Sequence, residues 1–319
     1  MSRTRLVLDT DIGTDADDAL CLALALASPE IELVAVTTVT ADTARRGAIA
    51  RRLLDLAGRR DVPVYAGCER PLGDGQFLWL GDEGDFALAP GERLASGEHA
   101  VDALVRLLRA EDDLEVVAVG PMTNLARVLE RDAALARRIK RLTIMGGHVR
   151  RVAYGEHEFA PGVDYNLCSD AAASLAVLRA GIPTTLVTAD VTLQTRLAPD
   201  DLERIAAAGT PFHDAIAAAV RAWTPHMRRI FGAMGAAIAP DNVAFLHDPL
   251  ALAAVYGGSA CGFEELAILP TIESGVLRTL EAPRGTPGSF VMRCATAVDA
   301  ERFRADFVAR VTSYRGARG

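Results

Sequence analysis

Short apolar runs alternate with segments of helical periodicity along most of this chain. A strand-like run at residues 5–8 precedes a helical pattern at 17–27, and a second run at 31–38 precedes a helical pattern at 45–57. Four further strand-like runs follow, VPVYAG, LEVVAVG, RLTIMGG and TTLVTADV, with helical patterns such as PMTNLARVLERD between them. Nearly continuous apolar strands separated by helices predict an α/β fold, a doubly wound and mostly parallel sheet with helices on both faces.

The pattern shows no internal boundary. There is no repeat, low-complexity linker or shift in composition, so we expect a single domain over residues 1–319, with a frayed tail within 308–319. Residues 70–97 are rich in Gly, Asp and Pro and predict a long loop, which in a compact domain is usually functional. Residues 199–234 are mostly helical and rich in alanine.

Composition excludes several classes of protein. Half of the 319 residues are apolar, which favours a large core, and the net charge of −8 argues against nucleic-acid or anionic-membrane partners. The five cysteines are scattered and lack CxxC spacing, so neither a disulfide framework nor a zinc site is expected. Residues 1–8 lack the apolar core of a signal peptide, and we therefore expect a cytoplasmic protein.

Five aspartates crowd the junction between the first strand and the first helix. Within the ten residues that end at Asp18 lie Asp9, Asp11, Asp15 and Asp17 as well. One aspartate before a helix is commonly a cap or a first-turn acid that the helix dipole favours. Five in a partly buried place would repel one another unless a cation neutralised them. Hard oxygen ligands without a His/Cys cluster indicate Ca²⁺ or Mg²⁺.

Other predicted strand ends carry polar groups as well. Asp42 follows the second strand, and Thr123 and Asn124 follow LEVVAVG. Asp248 in FLHDPLALA stands between an apolar approach and a helix with proline in its first turn. Because ligands of doubly wound sheets bind beyond the carboxyl ends of the strands, we expect these groups to converge.

One alternative function starts from the same residues. VLDTDIGT fits the DxDx[TV] signature of haloacid-dehalogenase-like phosphatases, in which the first Asp is a nucleophile and Mg²⁺ binds nearby. That function also needs a lysine on a helix and a late acidic pair at a strand end. Lys140 is the only lysine and leads directly into RLTIMGG, and no such pair follows. Because these two features are missing, a phosphatase is only a minor alternative.

Six segments together resemble the nucleoside hydrolases of the inosine–uridine-preferring type. They are DTDIGTDADDALCLALAL, VTTVTAD, VPVYAGCERPL, AVGPMTNLA, IKRLTIMGG and FLHDPLALA, in this order between residues 6 and 255. The resemblance implies an enzyme that binds one Ca²⁺ and cleaves the N-glycosidic bond of ribonucleosides with water. It also implies a homodimer or homotetramer. A nucleoside- or ribose-binding relative without turnover stays a second possibility.

The resemblance assigns roles to the acids. It implies four Ca²⁺ ligands: Asp11, Asp18, Asp248 and the main-chain carbonyl of Thr123. Asp11 would be the general base for the attacking water, Asp17 would hold a ribose hydroxyl, and Asp9 would support Asp11. The opening motif is two residues longer than its commonest form, which leaves the division of roles among Asp15, Asp17 and Asp18 open.

Contacts to the sugar follow from the stretch VDYNLCSD. The resemblance places Asn166 in an asparagine position and Asp164 where glutamate is frequent, and both would bind the 3′ and 5′ oxygens. Further sugar or base contacts implied there are Asp42, at a position often occupied by asparagine; Glu158 or His157; Met145, beneath the site; and Asp82, where relatives often have histidine.

The leaving base would meet a different set of side chains. His247, next to Asp248, is the candidate acid that assists its departure, because a histidine in that place can titrate in a useful range. A helical region that closes over the base in relatives offers aromatic stacking and hydrogen bonds here from Trp223, His226, Arg229 and Phe231. His148 is either near the site or on the surface.

Overall fold

The structure, a computed structural model, describes residues 3–13, 15–73, 92–95, 97–257 and 260–316. The strands in these ranges are β1 Thr4–Thr10, β2 Ile31–Thr38, β3 Val64–Ala66, β4 Glu115–Ala118, β5 Arg141–Met145, β6 Val152–Tyr154, β7 His157–Phe159, β8 Thr184–Val187, β9 Arg196–Leu197, β10 Ala244–Phe245, β11 Cys261–Glu273, β12 Val276–Glu281 and β13 Phe290–Val298. The helices are α1 Asp17–Ala27, α2 Thr43–Leu56, α3 Ala100–Ala110, α4 Thr123–Arg131, α5 Tyr165–Ser169, α6 Ala171–Arg179, α7 Ala189–Thr192, α8 Pro199–Ala206, α9 Pro211–Ala233, α10 His247–Ala253 and α11 Ala300–Ser313, with a 3-10 helix at Ala133–Arg138.

The main sheet confirms the predicted α/β class. Within the described residues it has nine strands in the order β12-β11-β13-β8-β5-β4-β1-β2-β3. Every neighbouring pair from β13 to β3 is parallel, whereas β11 pairs antiparallel with both β13 and β12. The sequence pattern did not predict this antiparallel edge, because its strands are only partly buried and lack continuous apolar runs.

Helices cover both faces of the sheet. In β1, Leu6 and Leu8 belong to the core beneath α1, α9, α10 and α11, whereas Val7 points into the core beneath α3, α4 and α6. This alternation is the period-two geometry of a strand that is buried on both faces. Helix α1 is buried along ten of its eleven residues, since its sequence DDALCLALALA is apolar on every side after the first turn.

Element boundaries follow the sequence pattern with local exceptions. The bounds of α1 and β2 are those predicted, but β1 extends to Thr10 and α2 begins at Thr43. Pro121 precedes the N-cap residue Met122 of α4 and so lies outside the first turn in which it was expected. Helix α11 continues to Ser313, and the Tyr314 hydroxyl donates to the carbonyl of Ala57 at 3.0 Å.

The carboxyl ends of three adjacent strands meet at one edge. Asp9 in β1 lies in register with Thr37 in β2 and Ala118 in β4. The amide of Asn124 fastens this edge: Nδ2 donates to Asp9 Oδ1 at 2.8 Å and to the carbonyl of Thr38 at 3.0 Å. The predicted convergence of these loops is therefore present around β1.

Candidate active site

A cavity of about 380 Å³ opens at this edge of the sheet. Acids form one wall, a mixed polar group forms a second, and apolar side chains form the rest. The lining residues are Asp11, Asp15, Asp17, Asp18, Asp248, His148, Asp164, Tyr165, Asn166, His247, Val119, Met145, Phe159, Val163, Ala189, Leu193, Trp223, Ile230, Phe231 and Met234. Such a volume, mainly apolar with a few convergent polar groups, suits a small organic ligand.

The acidic wall is assembled by the turn between β1 and α1. Carboxylate oxygens of Asp15, Asp17 and Asp18 lie within 4.8 Å of one another. Asp15 Oδ1 accepts from the Asp17 amide at 2.8 Å, and the hydroxyl of Thr10 donates to Asp18 Oδ1. These bonds fix the carboxylates of a single turn close together, at the spacing that one cation requires.

Burial of these acids opposes their ionisation. It raises the pKa of Asp11 to about 6 and that of Asp15 to about 8. Burial and repulsion from the neighbouring carboxylates raise the pKa values of Asp18 and Asp248 well above the usual range of an aspartate. A group of oxygen donors that repel one another when charged fits a hard divalent cation, as expected from the sequence.

Arg46 is a buried cation beneath this wall that sequence reasoning missed. Its side chain donates to the carbonyls of Asp11, of Ile12 at 3.1 Å and of Thr40 at 2.8 Å. Arg46 therefore joins the loop after β1 to the loop after β2, where Thr40 and Ala41 adopt φ of 73° and 55°. Non-glycine residues rarely adopt this left-handed conformation, and its presence at a site is a common sign of function.

The second wall carries two of the predicted sugar contacts. Asp164 caps α5 by accepting from the Leu167 amide at 2.9 Å, and burial raises its pKa to about 6. Asn166 Nδ2 donates to the carbonyls of Val119 at 2.8 Å and Met145 at 3.1 Å. The amide is therefore held in one orientation at the cavity wall.

His247 lies in the cavity and is half-buried. Its Nδ1 is 2.7 Å from the Thr192 hydroxyl, and its ring lies 5.0 Å from that of Phe245. Burial lowers the pKa of His247 to about 4, so the ring is neutral at pH 7. The apolar surroundings disfavour the charged ring and so oppose the titration near neutrality that the resemblance implied.

Several predicted residues, His157 among them, are not among the described residues that line the cavity. The Thr123 hydroxyl donates to Asp170 Oδ2 at 2.7 Å, and Asp42 caps α2 and pairs with Arg93. Glu158 is exposed and pairs with Arg151 at 2.6 Å. His226 and Arg229 do not line the cavity either, and their side chains contact each other at 2.9 Å. Asp82 lies outside the residues that the structure describes.

The apolar wall contains the predicted aromatics and others that were not predicted. Trp223 and Phe231 line the cavity from α9. Phe159 of β7 and Tyr165 of α5 line the cavity as well, and Phe159 lies edge-on to Phe231 at 6.1 Å. The signal for Phe159 was the apolar alternation in VAYGEHEF, which predicts a hairpin but not its position over the cavity.

An acid cluster suited to a hard cation, set beside an aromatic pocket at the carboxyl edge of the sheet, defines a metal-dependent enzyme that acts on a small molecule. The sequence model of the inosine-uridine preferring nucleoside hydrolase family matches residues 6–305. The chain therefore belongs to that family of ribonucleoside hydrolases. Membership confirms the predicted resemblance and overturns the phosphatase alternative.

Individual relatives and a solved structure are similar to this chain over most of its length. An uncharacterised protein of Schizosaccharomyces pombe is 32% identical over 258 residues, which cover 77% of each chain. The pyrimidine-specific ribonucleoside hydrolase RihB of Escherichia coli is 32% identical over 222 residues, 66% of this chain and 67% of the relative. The structure of a purine-preferring ribonucleoside hydrolase from Gardnerella vaginalis superposes with a TM-score of 0.80 at 26% identity and covers 97% of this chain and 98% of that one.

Proposed function

We propose that the enzyme hydrolyses the N-glycosidic bond of ribonucleosides at a Ca²⁺ centre and releases ribose and the free base. The observation that carries this proposal is that five buried acids and an aromatic wall share one cavity. A ribonucleoside has the matching polarity, a polyol joined to a flat aromatic base.

Asp11, Asp18, Asp248 and the carbonyl of Thr123 would hold the cation, and Asp15 is close enough to Asp18 to join them. Ca²⁺ would supply positive charge that grips the ribose diol and lowers the pKa of a water. Asp11 would take a proton from that water, and Asp17 would accept a hydrogen bond from a ribose hydroxyl. The carboxylates also stabilise the oxocarbenium-like sugar as the bond breaks.

His247 would assist the departing base as a hydrogen-bond donor. The ring is neutral at pH 7, so only one of its nitrogens carries a proton. When the Thr192 hydroxyl donates to Nδ1, Nε2 carries the ring proton and can donate a hydrogen bond to the departing base. The apolar wall with Trp223 and Phe231 would stack on the base and exclude water.

Release of reducing sugar from a panel of ribonucleosides tests the proposal. We expect wild type to release ribose, EDTA to abolish release, and Ca²⁺ to restore it more fully than Mg²⁺. Asp11→Asn should lower kcat by roughly 10²- to 10⁴-fold, the usual contribution of a general base. Asp201→Asn is the matched control, because Asp201 is a buried acid that pairs with Arg304 away from the cavity.

Two other results would change the assignment. Nucleoside binding without any turnover would favour the binding relative over the hydrolase. Full activity of Asp11→Asn would remove Asp11 as the base while leaving the reaction class intact. Sedimentation would test the predicted homodimer or homotetramer.

No helix among the described residues is long and apolar enough to cross a bilayer.

A further inference from the structure

His148 lines the cavity, yet it has no role in the proposed hydrolysis. The residue is 4% exposed and follows Gly147, whose φ of +82° turns the chain away from β5. Its amide donates to Thr279 Oγ1 at 2.9 Å, and its ring Nδ1 lies 3.3 Å from the carbonyl of Val163. The other ring nitrogen, Nε2, is buried and has no hydrogen-bond partner among the described residues.

The ring has one hydrogen-bond partner among the described residues, and that partner decides which nitrogen carries the proton. A carbonyl oxygen only accepts, so Nδ1 of His148 is the donor to Val163 and Nε2 of the neutral ring is an acceptor. His213 shows the contrast. It is buried away from the cavity, and both of its ring nitrogens have partners, Thr210 Oγ1 at 2.6 Å and the carbonyl of Val311 at 2.9 Å.

A buried acceptor without a partner costs free energy unless something binds to it. The neighbouring acid at this wall is Asp164. It directly follows Val163, whose carbonyl accepts the hydrogen bond from the His148 ring. Both residues line the cavity, and each side chain carries an acceptor atom. The ligand group that suits them is a hydroxyl, which donates a proton and carries no charge.

The proposed function, on which this inference rests, identifies that hydroxyl. Ribose in a nucleoside has hydroxyls at C2′, C3′ and C5′, and a cation at the acidic wall would take the adjacent pair. The 5′-hydroxyl is then the one that is left. We propose that His148 is a specificity-determining residue whose Nε2 accepts a hydrogen bond from the ribose 5′-hydroxyl beside Asp164.

This contact selects a class of substrate. A 5′-deoxynucleoside leaves Nε2 without a partner. A 5′-phosphate is largely ionised at neutral pH, lacks the hydroxyl proton and would face the carboxylate of Asp164. The enzyme should therefore act on nucleosides with a free 5′-hydroxyl in preference to both.

Two variants of His148 separate recognition of the hydroxyl from a structural role. His148→Asn places its amide near the position of Nδ1 and can still donate to Val163, but it lacks Nε2. His148→Gln reaches the position of Nε2 and can accept there. The assay compares kcat/KM for a nucleoside that wild type hydrolyses with kcat/KM for its 5′-deoxy analogue.

Wild type should prefer the 5′-hydroxyl by about tenfold, the size of one uncharged hydrogen bond. His148→Asn should lose most of that preference, whereas His148→Gln should keep it. His213→Asn, the control, should lower the Tm without a change in preference.

A His148→Asn enzyme that keeps the full preference would overturn the inference and leave Asp164 as the only determinant. The reverse pattern, in which Gln loses the preference and Asn keeps it, would show that the bond to Val163 matters instead. Absence of turnover by wild type would be a failure of the proposed function. Calorimetric binding of the same nucleoside pair to the same variants would then test His148 on its own.

Discussion

Gly120, which follows β4, leaves no room for a side chain beside the proposed base. A Cβ added there would lie 2.8 Å from Asp11 Oδ1 and 2.9 Å from both the Asp11 amide and Val39 Cγ1. Ordinary contacts begin at 3.4 Å. In Gly120→Ala the carboxylate oxygen would therefore have to move by about 0.6 Å, because main chain and a buried valine block the other directions.

The size of the effect follows from that displacement. Misplacement of a reacting group by 1 Å can cost about 10²-fold in rate, so we expect kcat to fall by roughly 10- to 50-fold. Crowding of the buried site should also cost about 1–3 kcal/mol of unfolding free energy. For a chain of this length that is a decrease in Tm of about 2–5 °C.

Steady-state kinetics and thermal unfolding, both with saturating Ca²⁺, measure the two effects. Gly262→Ala is the control, since the nearest atom to its added Cβ is the Cβ of Ala297 at an ordinary 3.5 Å. That variant should keep the wild-type kcat. If Gly120→Ala lowers the Tm but leaves kcat unchanged, the position of the Asp11 carboxylate does not control the rate, and the reasoning fails.

Three further predictions concern the surroundings of the acids. Arg46→Met should lower the unfolding free energy by about 3–6 kcal/mol in chemical denaturation, because three carbonyls lose a charged donor; a loss below about 1 kcal/mol would contradict this. Thr192→Val should slow release of natural bases several-fold more than release of p-nitrophenolate from its riboside, a leaving group that needs no hydrogen-bond donor, and equal slowing would argue against hydrogen-bond donation by His247. Burial raises the pKa of Asp11 to about 6 and that of Asp15 to about 8, above the unfolded value of 3.8. Between pH 4 and pH 8 the folded protein without cation therefore binds more protons than the unfolded chain, and its Tm in EDTA should fall as the pH rises. A Tm that rises over this range would refute the assignment.

The features that the sequence predicts are those with local causes. The bounds of α1 and β2 follow from runs of apolar residues that begin and end abruptly. The aspartates of the opening motif are close in space because they are close in sequence and share one turn. The parallel strand order then brings the loop between β4 and α4 to the same edge. The position of the acidic wall can therefore be predicted almost entirely from the sequence pattern.

The features that the sequence does not predict depend on partners far along the chain. Arg46 reaches Asp11 across 35 positions, and nothing in its helix distinguishes it from the arginines on either side. Asp42 and Glu158 have the right chemistry for sugar contacts, but Arg93 and Arg151 hold them in ion pairs. With 33 arginines in the chain, a pattern of acids cannot show which ones are already paired.

The acidic wall and the apolar core depend on the same packing. Helix α1 packs closely against α10, and each of the two carries an acid in its first turn, Asp18 in α1 and Asp248 in α10. The apolar residues behind those turns, Leu20 and Leu250 among them, are completely buried. Their packing fixes the separation of the two carboxylates, and the helix N-termini favour negative charge there. The apolar runs that predict these helices therefore also set the geometry in which the acids meet a cation.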